Sequence, residues 1–265
     1  MGPVTDTPLR TEHADGVTTL TLARPDAMNA FDHALKTALL AELTAAAEDP
    51  AVRCVVLTGE GRAFGVGQDL KEHVAELRSG QRLGDTVLQH YNPITTLLAT
   101  MDKPVVAALN GVAAGAAASF ALAADLRYAA DTAGLNTAFA AIGLSCDSGA
   151  SWYLPRLLGT AKAKELLLLP RTLSAGECLE LGLVTEVVPA ADLAARVHEV
   201  AARLAAGPTL AYGSIRRAVA YSAAHPLADS LAHEARLMDL TGRSADHERA
   251  VEAFLAKEKP VFYGG

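Results

Sequence analysis

Two turns rich in glycine and alanine contain the residues of this chain that are best suited to chemistry. The first has the sequence GVGQDL at 65–70, and the second has NGVAAGAA at 110–117. Each follows an apolar run typical of a buried strand, and glycine lets the backbone approach a ligand closely with positive φ. Together the turns predict two backbone N–H donors for a developing negative charge, an oxyanion hole. Each turn alone is equally compatible with ordinary strand-to-helix packing.

Asp147, in the segment CDSG at 146–149, is the carboxylate left in the neighbourhood of these turns. In an apolar pocket its pKa would be raised, and it could take up and return a proton. The residue also precedes a helix-compatible stretch, so a helix N-cap is the competing interpretation. Cys146 has no histidine nearby in sequence and is interpreted as a small buried thiol. His73 and His90 are interpreted as surface or core residues.

Composition and charge disfavour several classes of protein. The 265 residues carry 30 acidic and 23 basic side chains, a formal net charge of −7 that disfavours a nucleic-acid partner. The three cysteines form no CxxC pair and the eight histidines no HExxH pattern, which disfavours a disulfide framework, a zinc site and a catalytic metal. No run approaches the roughly 20 apolar residues of a membrane span, and residues 1–10 contain no signal-peptide stretch. We therefore expect a cytoplasmic protein without a metal, membrane or nucleic-acid partner.

Apolar patterning predicts an α/β protein that becomes helical towards its C-terminus. Alternating or continuous apolar runs predict strands at 16–22, 52–58, 104–109, 125–130 and 183–188. Helical patterns lie between and after them, at 32–48, 84–101, 115–124, 161–169, 174–182, 192–206, 209–223, 227–240 and 245–257. The alternation in the first half indicates crossover units and a largely parallel sheet. The apolar helices that follow indicate packing against a neighbouring copy.

These motifs together resemble the crotonase (enoyl-CoA hydratase/isomerase) superfamily over essentially the whole chain. The resemblance rests on RPDAMNA at 24–30, on AFGVGQDL at 63–70 and on NGVAAGAA at 110–117. It implies the crotonase (ClpP-like) spiral fold of repeated ββα units with a helical C-terminal trimerisation region. Residues 1–195 would form the core that binds acyl-CoA, and 196–265 the helical region for oligomerisation and for a lid over the site. The coenzyme A thioester would be a substrate rather than a cofactor, and the protein a homotrimer or a dimer of trimers.

The resemblance also implies roles for individual residues. Gln68 and Ala116 would donate N–H groups to the thioester oxygen of an enolate, the common intermediate of the family. The two positions where hydratases place glutamates hold Ser119 and Phe139, which cannot activate water or protonate carbon. Asp147 falls where another branch of the family keeps its aspartate. The motifs agree best with the branch of ring-1,2-epoxyphenylacetyl-CoA isomerases and Δ3-Δ2 enoyl-CoA isomerases. This indicates an isomerase of fatty-acid or phenylacetate breakdown that shifts a double bond or rearranges an epoxide to an oxepin, with Asp147 as acid and base.

The substrate-binding residues that the resemblance implies are Arg24, Ala27, Asp69, Leu70, Lys71, Tyr91, Asn92, Ser119 and Phe139. Tyr91 and Phe139 would shape an apolar or aryl acyl pocket, while the run Tyr91-Asn92-Pro93 is equally compatible with core packing and a helix kink. Candidate partners of the coenzyme A phosphates are Arg24, Lys71, Lys257 and Lys259.

Three alternatives to an isomerase are open at this point. An enoyl-CoA hydratase of low efficiency predicts conversion of crotonyl-CoA to the 3-hydroxy product. A non-catalytic acyl-CoA-binding protein predicts binding without proton exchange at the α-carbon, and a helix-rich assembly protein predicts no binding of coenzyme A. A dehalogenase branch of the family uses an aspartate at this place as nucleophile, but its histidine and indole positions correspond here to Asn92 and Phe139, which disfavours dehalogenation.

Overall fold

Two sheets and the helices around them position the site. The computed structural model describes residues 7–80 and 82–265. The strands are β1 (Leu9–Ala14), β2 (Val17–Leu22), β3 (Cys54–Gly59), β4 (Ala63–Gly65), β5 (Val105–Leu109), β6 (Val112–Ala114), β7 (Leu126–Ala130), β8 (Gly134–Asn136), β9 (Leu173–Ser174) and β10 (Glu186–Val188). The helices are α1 (His33–Glu48), α2 (Leu70–Ser79), α3 (Leu83–Thr86), α4 (Asn92–Thr100), α5 (Ala116–Ala123), α6 (Ala150–Leu158), α7 (Thr160–Leu168), α8 (Ala175–Glu180), α9 (Leu193–Ala205), α10 (Thr209–Ser222), α11 (Leu227–Gly242) and α12 (Ala245–Ala256). A π-helical turn, Val87–Tyr91, joins α3 to α4.

The main sheet has the strand order β1-β2-β3-β5-β7-β10. β1 and β2 are antiparallel, and all other neighbouring strands of this sheet are parallel. The central strands β3 and β5 are almost entirely buried, as continuous apolar runs require in a sheet that is covered on both faces. The smaller sheet has the order β4-β6-β8-β9, and its parallel strands β4 and β6 lead into the two glycine-rich turns.

Four of the five predicted strands are confirmed, with ends shifted by one or two residues. The prediction for the fifth is wrong in its first half, because only Glu186–Val188 forms a strand. The N–H groups of Leu183 and Val184 donate to the carbonyl of Cys178 instead, and this closes the turn after α8.

The predicted helices are confirmed to within two residues at each end, except for the one at 84–101. That segment is divided into α3, the π-helical turn and α4. Pro93 lies in the first turn of α4, and because it has no N–H it cannot continue an unbroken hydrogen-bond ladder from α3. The pattern did not indicate α2 or the two- and three-residue strands of the smaller sheet.

The C-terminal helices differ in what they pack against. α9 packs against β3, β5 and β7, so the predicted boundary at residue 195 falls inside a helix that covers the main sheet. α10 packs against α11, and α11 against α12. The division into 1–195 and 196–265 stays a prediction. In the described ranges, no helix combines the length and apolarity that crossing a membrane requires.

Three aromatic rings form the core beneath α5. Phe31 and Phe120 are fully buried, and their ring centroids lie 5.4 Å apart in an edge-to-face arrangement. Tyr91 packs against both, at 5.8 Å from Phe120 and 6.2 Å from Phe31. Every residue of α5 is buried, which its run of alanines allows because small side chains let the helix lie close to its neighbours. The packing fixes the N-terminus of α5 beside the second glycine-rich turn.

Candidate active site

The two glycine-rich turns meet backbone to backbone. The first turn continues from β4 and the second contains β6, and these neighbouring parallel strands pair Ala63 with Val112. Gly67 has φ +80° and Gly115 has φ +56°, a backbone conformation that residues other than glycine rarely adopt. A Cβ atom on Gly67 would lie 3.3 Å from the carbonyl oxygen of Ala114 and 3.4 Å from the amide nitrogen of Ala116. The glycine therefore allows the close approach that the sequence pattern predicted.

The N–H groups of Gln68 and Ala116 are available as donors. Phe31 forms a parallel bridge with Gln68: its N–H donates to the Gly67 carbonyl at 2.7 Å, and its carbonyl accepts the Asp69 N–H at 3.0 Å. The bridge uses the Gly67 carbonyl and the Asp69 N–H. In a strand-like backbone the N–H of Gln68 then points away from Phe31. Ala116 is the first residue of α5, where a helical N–H has no partner within the helix. Among residues 7–80 and 82–265, neither N–H meets an acceptor.

These two residues line a cavity of about 210 Å³ together with Asp147. Tyr91, Phe139 and Leu70 also contribute to its wall, so six of the predicted site residues come together there. The rest of the wall is formed by Val66, Gly67, His73, Gly115, Ala138, Ile142 and Leu144. Asp147 is the only carboxylate among these lining residues of the described chain. The wall is mainly apolar, which suits a hydrophobic ligand.

Asp147 is held at the cavity by its neighbours and does not cap a helix. Burial raises the pKa of its carboxyl group, and a hydrogen bond from the Ser148 hydroxyl to Oδ1, at 2.8 Å, offsets part of this rise. The N-cap interpretation is wrong, because Gly149 occupies the cap position of α6 without a side-chain bond. Asp147 contacts the helix only through its backbone carbonyl, which accepts the Ala150 N–H at 3.0 Å. Ser148 has φ +52°, a strained conformation that turns its hydroxyl onto the carboxylate.

The two positions where hydratases are expected to place glutamates hold no carboxylate. Phe139 is 8% exposed and forms part of the cavity wall. Ser119 is buried outside the wall, with its hydroxyl 3.2 Å from the Gly115 carbonyl and 3.5 Å from the Asp147 carbonyl. Ser119 therefore links the first turn of α5 to the backbone of Asp147.

The sequence interpretation missed a polar network behind Gln68. Lys36 is 1% exposed, and its ammonium group reaches Gln68 and Glu72. The Tyr91 hydroxyl donates to Oε1 of Gln68. Burial, followed by the charges of Asp147 and Glu72, raises the pKa of the Tyr91 phenol, which stays protonated as a donor. A signal was present in the sequence, because Lys36 shares the buried helical face of α1 with apolar residues.

His73 is half-buried on α2 and lines the cavity. Its Nδ1 atom is buried without a hydrogen-bond partner in the described part of the chain. His90 is a core residue, as predicted.

The remaining predicted binding residues lie outside this cavity. Arg24 forms ion pairs of 3.0 Å with Asp32 and with Asp69, so its guanidinium group is engaged by two carboxylates. Asp69 caps α2 by accepting the Lys71 N–H at 2.9 Å. Burial favours a higher pKa for Asp69, but these hydrogen bonds outweigh it and the pKa is lowered. Arg24 and Ala27 line a separate groove of about 490 Å³. Exposed positions are occupied by Lys71, Asn92, Lys257 and Lys259.

Two backbone donors that face one desolvated carboxylate define a site that can stabilise an oxyanion and move a proton. The enoyl-CoA hydratase/isomerase family model matches residues 12–265. The 1,2-epoxyphenylacetyl-CoA isomerase of Escherichia coli is 41% identical over 250 residues, 94% of this chain and 95% of that protein. A Rhodobacter capsulatus protein named "Probable enoyl-CoA hydratase" is 41% identical over 256 residues, 97% of this chain and 98% of its own. A crystal structure from Mycobacterium abscessus that carries the enoyl-CoA hydratase/isomerase name superposes with a TM-score of 0.93 at 45% identity, covering 97% of this chain and 100% of that one.

The chain belongs to the enoyl-CoA hydratase/isomerase family. The α/β structure has the crotonase fold with additional C-terminal helices. The protein is therefore an enzyme that processes acyl-CoA thioesters.

Proposed function

We propose that the enzyme is an acyl-CoA isomerase that moves a double bond through a thioester enolate. The observation that carries this proposal is the position of Asp147, which lines the same cavity as the free N–H groups of Gln68 and Ala116. Burial raises its pKa, which favours a group that must both take up and return a proton. The resemblance to an epoxyphenylacetyl-CoA isomerase supports the same reaction class.

The reaction on a 3-enoyl thioester requires one proton-transfer group. The Asp147 carboxylate removes a proton from the α-carbon, and the electron pair of that C–H bond moves into the conjugated system. The negative charge of the dienolate rests on the thioester oxygen, between the N–H groups of Gln68 and Ala116. The Asp147 carboxyl group then returns its proton to the γ-carbon, which yields the 2-enoyl thioester and restores the carboxylate.

Hydration requires a second proton-transfer group, and the cavity meets this requirement less well than that of isomerisation. One group must activate water while another protonates carbon. With Phe139 in the wall and Ser119 behind it, both glutamate positions of a hydratase lack an acid or base. We propose an apolar or aryl acyl group as substrate, because Tyr91 and Phe139 contribute aromatic surface to the wall.

Proton exchange in deuterated buffer tests the proposal. A panel of 2-enoyl-, 3-enoyl- and aryl-acyl-CoA thioesters is incubated with the wild type, with Asp147→Asn and with the control Asp239→Asn, whose side chain is 77% exposed. We expect Asp147→Asn to lose about 10²–10⁴ in turnover and to keep thioester binding, since it removes a general acid–base group but little volume. Full isomerase activity in Asp147→Asn would refute the assignment. Conversion of crotonyl-CoA to its 3-hydroxy product would favour a hydratase, and binding without exchange a non-catalytic protein.

We also propose that the protein assembles as a homotrimer or a dimer of trimers in the cytoplasm. Large apolar side chains exposed on α11 and α12 support association between copies, since a large exposed apolar patch marks an interaction site. They include Leu227, Met238, Phe254 and Leu255. Sedimentation equilibrium measures the oligomeric state, and a monomer at micromolar concentration would contradict the proposed assembly.

A further inference from the structure

The ammonium group of Lys36 is enclosed by acceptors from three other segments. Its Nζ atom lies 2.7 Å from Oε1 of Glu72 on α2 and 2.8 Å from the hydroxyl of Thr86 on α3. Oε1 of Gln68, in the first glycine-rich turn, is the third acceptor at 3.4 Å. The three N–H bonds of the ammonium group thus have three acceptors, and one of these is a carboxylate that compensates the buried charge.

The side chain of Gln68 is fixed by the same network. Its Oε1 accepts from Lys36 and from the Tyr91 hydroxyl, while its Nε2 donates to Oε1 of Glu72 at 3.1 Å. Burial favours a higher pKa for Glu72, but hydrogen bonds from Lys36 and from the His33 N–H outweigh it and lower the pKa, so Glu72 stays charged. The Gln68 side chain is therefore held by three buried or half-buried groups, in addition to the Phe31 N–H that holds the preceding Gly67 carbonyl.

Lys36 also attaches the cavity wall that α2 provides. Neither α2 nor α3, all of whose residues the structure describes, contains a fully buried side chain. The bonds from Lys36 to Glu72 and Thr86 tie both helices to α1, in place of the apolar packing that holds most helices. α2 in turn contributes Leu70 and His73 to the cavity.

We propose that Lys36 is a positioning residue, which fixes the Gln68 N–H and the α2 wall in the arrangement that stabilises the enolate. The inference rests on the proposed function, since it concerns the same oxyanion donor. A buried ion pair contributes little net stability compared with apolar residues of similar size, so its value here lies in geometry. Lys36 acts through Gln68 and does not touch the substrate.

A second buried lysine supplies the matched control. Lys103 is 6% exposed and donates to the carbonyls of Ala46 and Asp49, at the other end of α1. Position 46 lies about 15 Å along the helix from position 36. We expect Lys36→Met to lower kcat about tenfold to a hundredfold with KM nearly unchanged. This decrease is smaller than the roughly 10²–10³-fold loss of kcat that complete removal of an oxyanion donor causes. Lys103→Met should keep the kcat of the wild type. Equal kcat in the two variants, both folded by circular dichroism, would overturn the inference.

The double variant Lys36→Met/Glu72→Met separates positioning from stability. It removes both charges of the pair, so its melting temperature should recover relative to Lys36→Met, which leaves Glu72 uncompensated. Its kcat should stay low because Gln68 has lost two of its partners. Recovery of kcat together with stability would show that Lys36 acts only on folding, and would overturn the inference. The double variant also provides the measurement if Lys36→Met does not fold.

A spectroscopic measurement distinguishes failure of this inference from failure of the proposed function. Cinnamoyl-CoA has a conjugated thioester, whose ultraviolet absorption shifts to the red when N–H donors polarise the carbonyl. We expect a red shift on binding to the wild type and to Lys103→Met, and a smaller shift with Lys36→Met. A full shift in Lys36→Met would refute the role of Lys36. A full shift in a wild type that exchanges no protons would refute the isomerase alone, and no shift in the wild type would refute the oxyanion hole and the inference together.

Discussion

Substitution of Gly67 by alanine places a methyl group between the two backbone donors. Gly67 has φ +80°, and its new Cβ would lie 3.3 Å from the Ala114 carbonyl oxygen and 3.4 Å from the Ala116 nitrogen. The contact with the Ala114 oxygen is tighter than a methyl group normally makes, the contact with the Ala116 nitrogen is at the limit of ordinary van der Waals contact, and both opposing atoms belong to the backbone. The second turn must therefore move by a few tenths of an ångström, which displaces the Ala116 N–H from its position in the site.

The cost has two separable parts. An alanine with left-handed φ costs roughly 1–2 kcal/mol, which lowers the free energy of unfolding. Complete loss of one oxyanion donor costs roughly 2.7–4 kcal/mol of transition-state stabilisation. Because displacement is less severe than loss, we expect Gly67→Ala to lower kcat about tenfold to a hundredfold, equivalent to about 1.4–2.7 kcal/mol.

Gly182→Ala is the matched control for backbone strain. Gly182 has φ +73°, and a Cβ atom there meets nothing within 4 Å in the described part of the chain. Both variants should lose similar stability in thermal or urea unfolding, and only Gly67→Ala should lose turnover in the exchange assay. If the two variants have the same kcat while folded, the turns do not form the oxyanion site and the reasoning fails.

Two further predictions concern pH and the C-terminal tail. Burial raises the pKa of Asp147, so the acidic limb of the kcat/KM profile should lie above the ordinary carboxyl value of 3.8, and a limb at that value would contradict the assignment. The same shift makes the folded state favour the protonated form, so stability falls as pH rises through the folded-state pKa, and Asp147→Asn should melt at a higher temperature than the wild type at neutral pH. Asp246 accepts the N–H groups of Tyr263 and Gly264 at 2.7 and 2.8 Å; Asp246→Ala should therefore cost about 1–3 kcal/mol and speed hydrogen exchange at both amides. Burial favours a higher pKa for Asp246, but these hydrogen bonds outweigh it and lower the pKa. The stability that Asp246 contributes is therefore lost as pH falls through its folded-state pKa. Unchanged hydrogen exchange in Asp246→Ala would show that Asp246 does not hold the C-terminal residues in place.

The larger elements of the fold could be predicted because their residues carry a long and consistent pattern. β3 and β5 are continuous apolar runs, and the C-terminal helices repeat apolar residues over several turns. β4 and β6 have three residues each and contain glycine or alanine, so they show no periodicity of their own. They become strands because neighbouring strands supply their hydrogen bonds, which is a tertiary effect.

The parts of the candidate site that depend on backbone conformation could be predicted from the sequence, whereas the partners of its charged side chains could not. Glycines that require positive φ mark the two turns, and the structure brings Gln68 and Ala116 together with Asp147. The partners of a charged side chain come from distant segments, and sequence does not show which segments meet. Arg24 pairs with two carboxylates that the sequence did not indicate, while its contact with a phosphate stays a prediction. Lys36 was overlooked because a helical lysine is usually solvated.

The use of main-chain donors has a consequence for how this enzyme can change over evolutionary time. Every amino acid except proline carries an N–H group, so a substitution at either donor position keeps the N–H itself, and its position is kept as long as the contacts that fix the segment are kept. Side chains at Ser119, Phe139 and Asp147 can be exchanged one at a time, and a variant still holds the activated thioester while its proton chemistry is altered. Intermediate sequences between two activities therefore need not pass through an inert protein.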